Sequence, residues 1–528
     1  MEVFEIVIAL LLGGAALAAL ARRISTPYPA LVSLAGAGLA LVPGVPTLVL
    51  DPELALALFV APVLLDAAFD ASPRDLRANW RTVTSLALGA VALTIAVVAV
   101  VARALVPELP WGAAIALGAI VAPPDAAAAT AVLKQLRPPH RLLVILEGES
   151  LFNDASALLV YRLAVGATVA GFLSGWSILP TLLYVAIGSV VLGIVLSRVM
   201  LFASARVQDI STAVVMQFCG GFGVWLLAER LHLSGILTMV VFAMVTARRV
   251  GEITPARLRI PSYAVWEVAV FVLNVLAFIL VGFQLRSVVG RLDRETLISY
   301  TWIAAAICLA TILARIVWVT GAAKFSRWRC RPRSDGTPGP MDAVALSAPA
   351  AAVVGWCGMR GTVTLAAALA LPTAFPYRDL ILFTAFAVVL GTLVVQGVTL
   401  RPLLAHLQLT DDGAVEREVL LARVETRRAA LAATAEDAGA EAAALVRRRY
   451  EMLLRRAETE LASGDTAGGA PDDAHVVRTA ANAQRQRLSA LRADATIGDA
   501  AFQRVEQELD LEELDLEQLL RTDLHGQI

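Results

Sequence analysis

The chain has 528 residues, 58% of them hydrophobic and 17% charged, with a mean hydropathy of +0.72. A soluble domain is about 45–50% apolar and about 25% charged, so this composition excludes an ordinary water-soluble fold and points to the bilayer as solvent. The net charge of −1 removes any bulk attraction to nucleic acid. The four cysteines, Cys219, Cys308, Cys330 and Cys357, include no CxxC pair that would suggest a metal or disulfide site.

A spanning helix needs ~20 mostly apolar residues. The first such run is 3–21, with Glu2 and Glu5 at its start and Arg22-Arg23 behind it. A signal peptide carries its positive charge ahead of the apolar run, so this segment reads as a retained helix with its N-terminus outside. Further spans centre on 29–48, 52–70, 82–106, 111–133, 142–170, 178–203, 211–229, 234–247, 266–285, 300–323, 345–371 and 379–404. The expected fold is therefore all-α and polytopic, with about thirteen transmembrane helices. Loop charges agree with that count. Arg74, Arg77 and Arg81, then Lys134, Arg137 and Arg141, and later Lys324 to Arg333, fall on one side, in an excess of roughly three to one. The positive side is the cytoplasm, and an odd number of spans leaves the C-terminus there. A transmembrane domain 1–406 is followed by a cytoplasmic tail 407–528, rich in Ala, Glu and Arg. The tail reads as helix over 414–463, a Gly/Pro/Asp break at 464–475, and helix over 476–522. Its acidic stretch 508–517 suggests no chemistry.

A charged side chain at mid-bilayer costs about 2.5–3.5 kcal/mol on insertion scales, so charges inside the spans are functional candidates. In the third span Asp66 has two placements, facing an internal cavity or near the inner helix end with Asp70 and Arg74. In the fifth, Pro123 and Pro124 remove two backbone donors. Such a break is tolerated only where the freed carbonyls face protein or water. Asp125 follows it, where its carboxylate can cap a new helix or ligate an ion directly.

The sixth span carries Glu149, Ser150, Asn153 and Asp154. At 3.6 residues per turn Ser150 and Asp154 are stacked on one stripe, Glu149 and Asn153 on the next. Asp154 with Ser150 forms an oxygen site suited to a small hard cation, and Glu149 is placed to hold a basic partner. Arg315, in the eleventh span, either snorkels or pairs with a buried acid, Glu149 being the first choice. In the twelfth span Gly355, Gly358 and Gly361 surround Arg360 and suggest a second break, this time with a cation. Two interrupted spans at matching places in two halves point to a transporter of inverted repeats with a midplane site. Tight helix packing is the other reading of the glycines.

These residues resemble the monovalent cation:proton antiporter superfamily, in its electroneutral sodium/proton exchanger branch, over about residues 5–405. Gly148-Glu149-Ser150-Leu151-Phe152-Asn153-Asp154-Ala155 is similar to the family's GES-x-x-NDA signature. Gly358-Met359-Arg360-Gly361 resembles its G-[LM]-R-G, and Pro62 to Ala68 its P-x-L-[LF]-[ED]-A-A. More loosely, Phe271 to Asn274 and Phe278 to Gly282 resemble a helix of its second half. The resemblance implies that Asp154 binds ion and proton, that Ser150 is a cation ligand, that Asn153 replaces a second acid of electrogenic relatives, that Glu149 pairs with Arg315, and that spans five and twelve are crossed, unwound helices. It also implies a homodimer in the plasma (inner) membrane and Na⁺, K⁺ or Li⁺ and H⁺ as substrates. Pro124-Asp125-Ala126 stands where the family often has Thr-Asp-Pro, which removes a hydroxyl ligand and leaves the choice of cation open. A cation channel and an organic-anion transporter of the same fold are the alternatives. No cofactor is expected, and no nucleotide loop, metal cluster or base–nucleophile pair suggests an enzyme.

Overall fold

The computed structural model describes residues 2–23, 28–40, 54, 56–125, 128–130, 133, 138–170, 175–290, 292–329, 346–409, 413–433, 441–463 and a few positions between 484 and 511. The described residues are helical apart from caps, turns and two internal breaks. Two compact units divide the chain, Met1–Asp411 and Asp412–Ile528.

In chain order the first unit holds α1 (Glu2–Arg23), α2 (Tyr28–Ala40), α3 (Ala61–Asp70, after a π-helical turn at Leu56–Val60), α4 (Pro73–Leu105, with a π-helical turn at Ser85–Ala90) and α5 (Trp111–Val121). These are followed by α6 (His140–Ala170), α7 (Gly175–Ser204), α8 (Ile210–Arg230), α9 (Gly235–Ile253), α10 (Ala256–Val289) and α11 (Arg294–Arg329). The short α12 (Ala348–Trp356) and α13 (Thr362–Leu369) precede α14 (Arg378–Leu407).

Helix starts follow local chemistry. Ser72 caps α4 ahead of Pro73, Ser234 caps α9, and Ser347 caps α12 by accepting from the Ala350 N–H at 3.3 Å. Asp209 caps α8, where the Thr212 N–H at 2.8 Å holds its exposed carboxyl below the usual carboxylate range.

Six helices of the described chain are long and apolar enough to cross a membrane: α4, α8, α14, most of α11, and the parts of α7 and α10 at 183–204 and 256–279. α5, α12 and α13 are halves of broken helices, and α6, although 31 residues long, carries Glu147, Glu149, Asp154 and Arg162. The expected ends at 41–48 and 52–53 lie outside the described residues, as do Lys134 and Arg137.

Packing is close. α2 lies along α10, α7 along α9, α5 between α4 and α6, and α11 between α4 and α14. At Gly118 of α5 a Cβ would lie 2.8 Å from the Ile95 carbonyl of α4, so only glycine admits this approach.

In the second unit α15 (Ala414–Ala433) and α16 (Glu441–Ser463) pack together. Leu420, Val424 and Ala457 are buried, and Arg428 pairs with Glu458 at 2.7 Å. The break at 464–475, most of the expected helix 476–522 and nearly all of the acidic stretch lie outside the described residues.

Candidate functional site: a crossing of two broken helices beside an acidic cavity

The two breaks meet. Helix α5 ends at Val121, and Ala122 to Asp125 leave the helical path at the two prolines. Helix α12 ends at Trp356, Cys357 to Gly361 run without helical structure, and α13 resumes at Thr362. In a continuous helix the Asp125 N–H would bond to the Val121 carbonyl. Here it donates to the Met359 carbonyl at 2.7 Å, joining one break to the other. The freed Val121 carbonyl accepts from Arg360 Nε at 2.8 Å, and the Ala122 carbonyl from Arg360 Nη2 at 3.2 Å. Arg360 also donates to the Gly358 carbonyl, and its own N–H bonds to Thr392 Oγ1 at 3.0 Å.

A helix C-terminus carries partial negative charge and free carbonyls. Arg360, with no exposed surface, places its guanidinium on the C-terminus of α5. Arg315 does the same for α12, donating through Nη2 to the Val354 carbonyl at 3.0 Å. Each broken helix thus ends on an arginine. Arg315 also forms a two-pronged ion pair with Glu149, Nη1 to Oε1 and Nη2 to Oε2, the latter at 2.8 Å. Both side chains are 2% exposed or less. Arg360 makes no ion pair among the described residues. Its side-chain hydrogen bonds go to carbonyls, a role the sequence reading of it as the cation of the second break did not single out.

The stripes of α6 separate as they leave the helix. Glu149 turns to Arg315, and Asn153 donates through Nδ2 to the Pro124 carbonyl at 3.3 Å, tying α6 to the first break. Ser150 and Asp154 instead line a cavity of about 130 Å³. Asp66, Asp125, Pro123, Pro124 and Gly361 line it too, with Asp70, Glu147 and Asn274. Among the described residues its wall holds five carboxylates and no Lys or Arg. Asp154 is 4% exposed and close enough to Asp125 for the two charges to interact. Gly361 is required at the wall, because a Cβ there would overlap the Asp125 carboxylate. The helix start proposed at Asp125 involves residues 126 and 127, outside the described ones.

Of the two placements open to Asp66, the cavity is the one found. Its Oδ1 accepts from Trp266 Nε1 of α10 at 3.1 Å. Trp266 went unnoticed in the sequence, since nothing in an apolar run marks one indole as a donor to an acid 200 residues away. Thr130, Thr362 and Thr364, also unnoticed, line the cavity as well. The Thr-x-Thr after Gly361 was a visible signal for the last two.

Comparison with known proteins agrees with this architecture. The profile of the family described as sodium/hydrogen exchanger, transmembrane, matches residues 6–406. An uncharacterized Na(+)/H(+) exchanger of Mycobacterium tuberculosis is 30% identical over 514 residues, 94% of this chain and 93% of that one. A sodium, potassium, lithium and rubidium/H(+) antiporter of Bacillus subtilis is 32% identical over 368 residues, 66% of this chain and 54% of that protein. The solved sodium proton antiporter MjNhaP1 from Methanocaldococcus jannaschii superposes with a TM-score of 0.59, covering 77% of this chain and 99% of its own. At 18% identity that likeness shows a shared fold. The chain belongs to the sodium/hydrogen exchanger family of transmembrane proteins.

Proposed function

We propose that this protein exchanges a monovalent cation, Na⁺ or K⁺, for a proton across the plasma membrane, and that cation and proton compete for Asp154. The observation that carries this reading is the asymmetry between the two buried acids of α6. Glu149 is neutralised by Arg315, whereas Asp154 lies in a cavity whose described lining residues include acids, Ser and Thr and no Lys or Arg. A buried carboxylate in such a site needs a mobile positive charge, and a proton or a cation supplies it. Ser150, one turn before Asp154, offers a hydroxyl oxygen to a hard cation. Asp66 and Asp125 attract cations to the cavity.

Exchange follows if only the occupied, neutral carboxylate lets the protein pass between inward- and outward-open states. The empty charged site is held back by the cost of moving a charge through a dry barrier. One acid carrying the exchange gives one cation per proton. The alternating Lys and Arg content of the loops supports an N-terminus outside and a cytoplasmic tail. The B. subtilis relative is named for sodium, potassium, lithium and rubidium, which supports broad cation acceptance.

The test uses proteoliposomes holding an internal pH dye, with the membrane potential clamped. Addition of Na⁺, K⁺ or Li⁺ outside should dissipate an imposed proton gradient, and D154N should abolish that response. Retained exchange in D154N would remove Asp154 from the mechanism. No response to any cation in vesicles of folded wild-type protein would favour a channel or an organic-solute transporter.

A further inference from the structure

Several buried polar side-chain atoms of the described residues have no hydrogen-bond partner there: Asn153 Oδ1, both amide atoms of Gln396, and the hydroxyls of Ser33, Thr238, Thr254, Thr364 and Thr384. Only one of these residues, Thr364, lines the acidic cavity. It is 1% exposed.

Its position explains the orphan. A threonine inside a helix usually donates its hydroxyl to the carbonyl four residues back. Thr94, Thr168, Thr311, Thr320 and Thr392 all do so at 2.7–2.8 Å. Thr364 is the third residue of α13, so the residue four back is Arg360, in the non-helical stretch of the break. The break that lets the two helices cross thus also withholds the usual partner from this hydroxyl. A buried hydroxyl left unpaired is costly, and the cavity beside Thr364 is the nearest described space from which a partner could come. On the facing break, the residue beside Asp125 is Pro124, which brings no hydroxyl. Ser150 and Thr364 therefore approach the cavity from different helices, α6 and α13, with Asp154 in the same wall.

We infer that Thr364 is a ligand of the transported cation, its Oγ1 completing an oxygen set with Asp154 and Ser150, and that it helps decide which cation is preferred. The inference rests on the proposed exchange at Asp154. A neutral hydroxyl adds an oxygen without adding charge, so it tunes cation affinity and the ranking by size and leaves the charge balance of exchange intact.

The experiment compares wild type, T364V and T364S in the proteoliposome assay, with Na⁺, K⁺ and Li⁺ titrated separately. Valine keeps the shape and removes the hydroxyl; serine keeps the hydroxyl and removes the methyl. T364V should raise the KM for the preferred cation about 3- to 10-fold, as expected for one lost ligand hydrogen bond or oxygen contact. Vmax should change by less than about twofold, and the Na⁺/K⁺ KM ratio should shift. T364S should bring KM back to within about twofold of wild type. In detergent, the cation-induced rise in Tm should shrink in T364V by the same rule of ligand linkage. If T364V yields no folded protein, T364A against T364S gives the same contrast.

Exchange with wild-type KM and cation ranking in T364V overturns the inference alone. So does equal impairment in T364S, which would assign the effect to methyl packing. Wild-type vesicles that show no cation-dependent exchange overturn the proposed function and this inference with it.

Discussion

Helix α6 carries two buried acids five residues apart that have opposite surroundings. Glu149 is 1% exposed and Asp154 4%, so burial does not distinguish them. Their partners do. Glu149 meets both terminal nitrogens of Arg315, which also holds the end of α12. Asp154 meets a cavity. The first acid is part of the frame that holds a broken helix, and the second is the one proposed above to take a mobile ion. In a membrane interior a buried charge is a candidate for function by cost alone. Whether its counter-charge is fixed or exchangeable decides which kind it is.

The sharpest way to break this comparison is to neutralise each acid in turn. D154N should eliminate cation-dependent proton movement while yield, gel-filtration profile and Tm stay near wild type. E149Q and R315A should do the reverse. Removing one partner of a buried ion pair typically costs about 3–5 kcal/mol, so both variants should give little folded protein, read by fluorescence-detected gel filtration. Normal folding of E149Q together with loss of exchange would erase the distinction.

The crossing supplies a smaller test. G361A forces a methyl into the Asp125 carboxylate, and overpacking of this kind costs about 1–3 kcal/mol. A lowered Tm with a higher cation KM is expected. G13A, at a site with open space around it, is the control.

Smaller again is W266F, which removes the indole N–H from Asp66 and keeps an aromatic ring. A cation KM raised about threefold, within the range for one hydrogen bond, would place Asp66 in the cation's environment. No change would leave it a bystander in the wall.

Competition itself predicts a pH effect. If protons and cations share one carboxylate as proposed, the apparent cation KM rises as pH falls, by at most about tenfold per pH unit. The Vmax at saturating cation should change less. A KM independent of pH between 6 and 9 would argue against a shared site.

Much of this was legible in the chain. Hydropathy and the alternation of arginines announce a polytopic helical protein, because lipid leaves few ways to satisfy a backbone. The 3.6-residue period alone puts Ser150 with Asp154 and Glu149 with Asn153, since neighbours on a helix surface are fixed by local geometry. Pro123-Pro124 and the glycines around Arg360 mark the breaks for the same local reason. One distant pair, Glu149 with Arg315 across 166 residues, was expected from charge and resemblance. Other distant meetings left no mark in the chain: the Trp266–Asp66 bond spans 200 residues, and Arg360 finds the end of a helix 239 residues earlier. Sequence determined the helices, their charges and their interruptions, because these depend on residues within a few turns. Only the tertiary structure decided that Arg360 serves the carbonyls of the first interruption, and that Thr364 lines the cavity with a hydroxyl that has no partner among the described residues. Each of those depends on the packing of helices far apart in the chain, which no local pattern records.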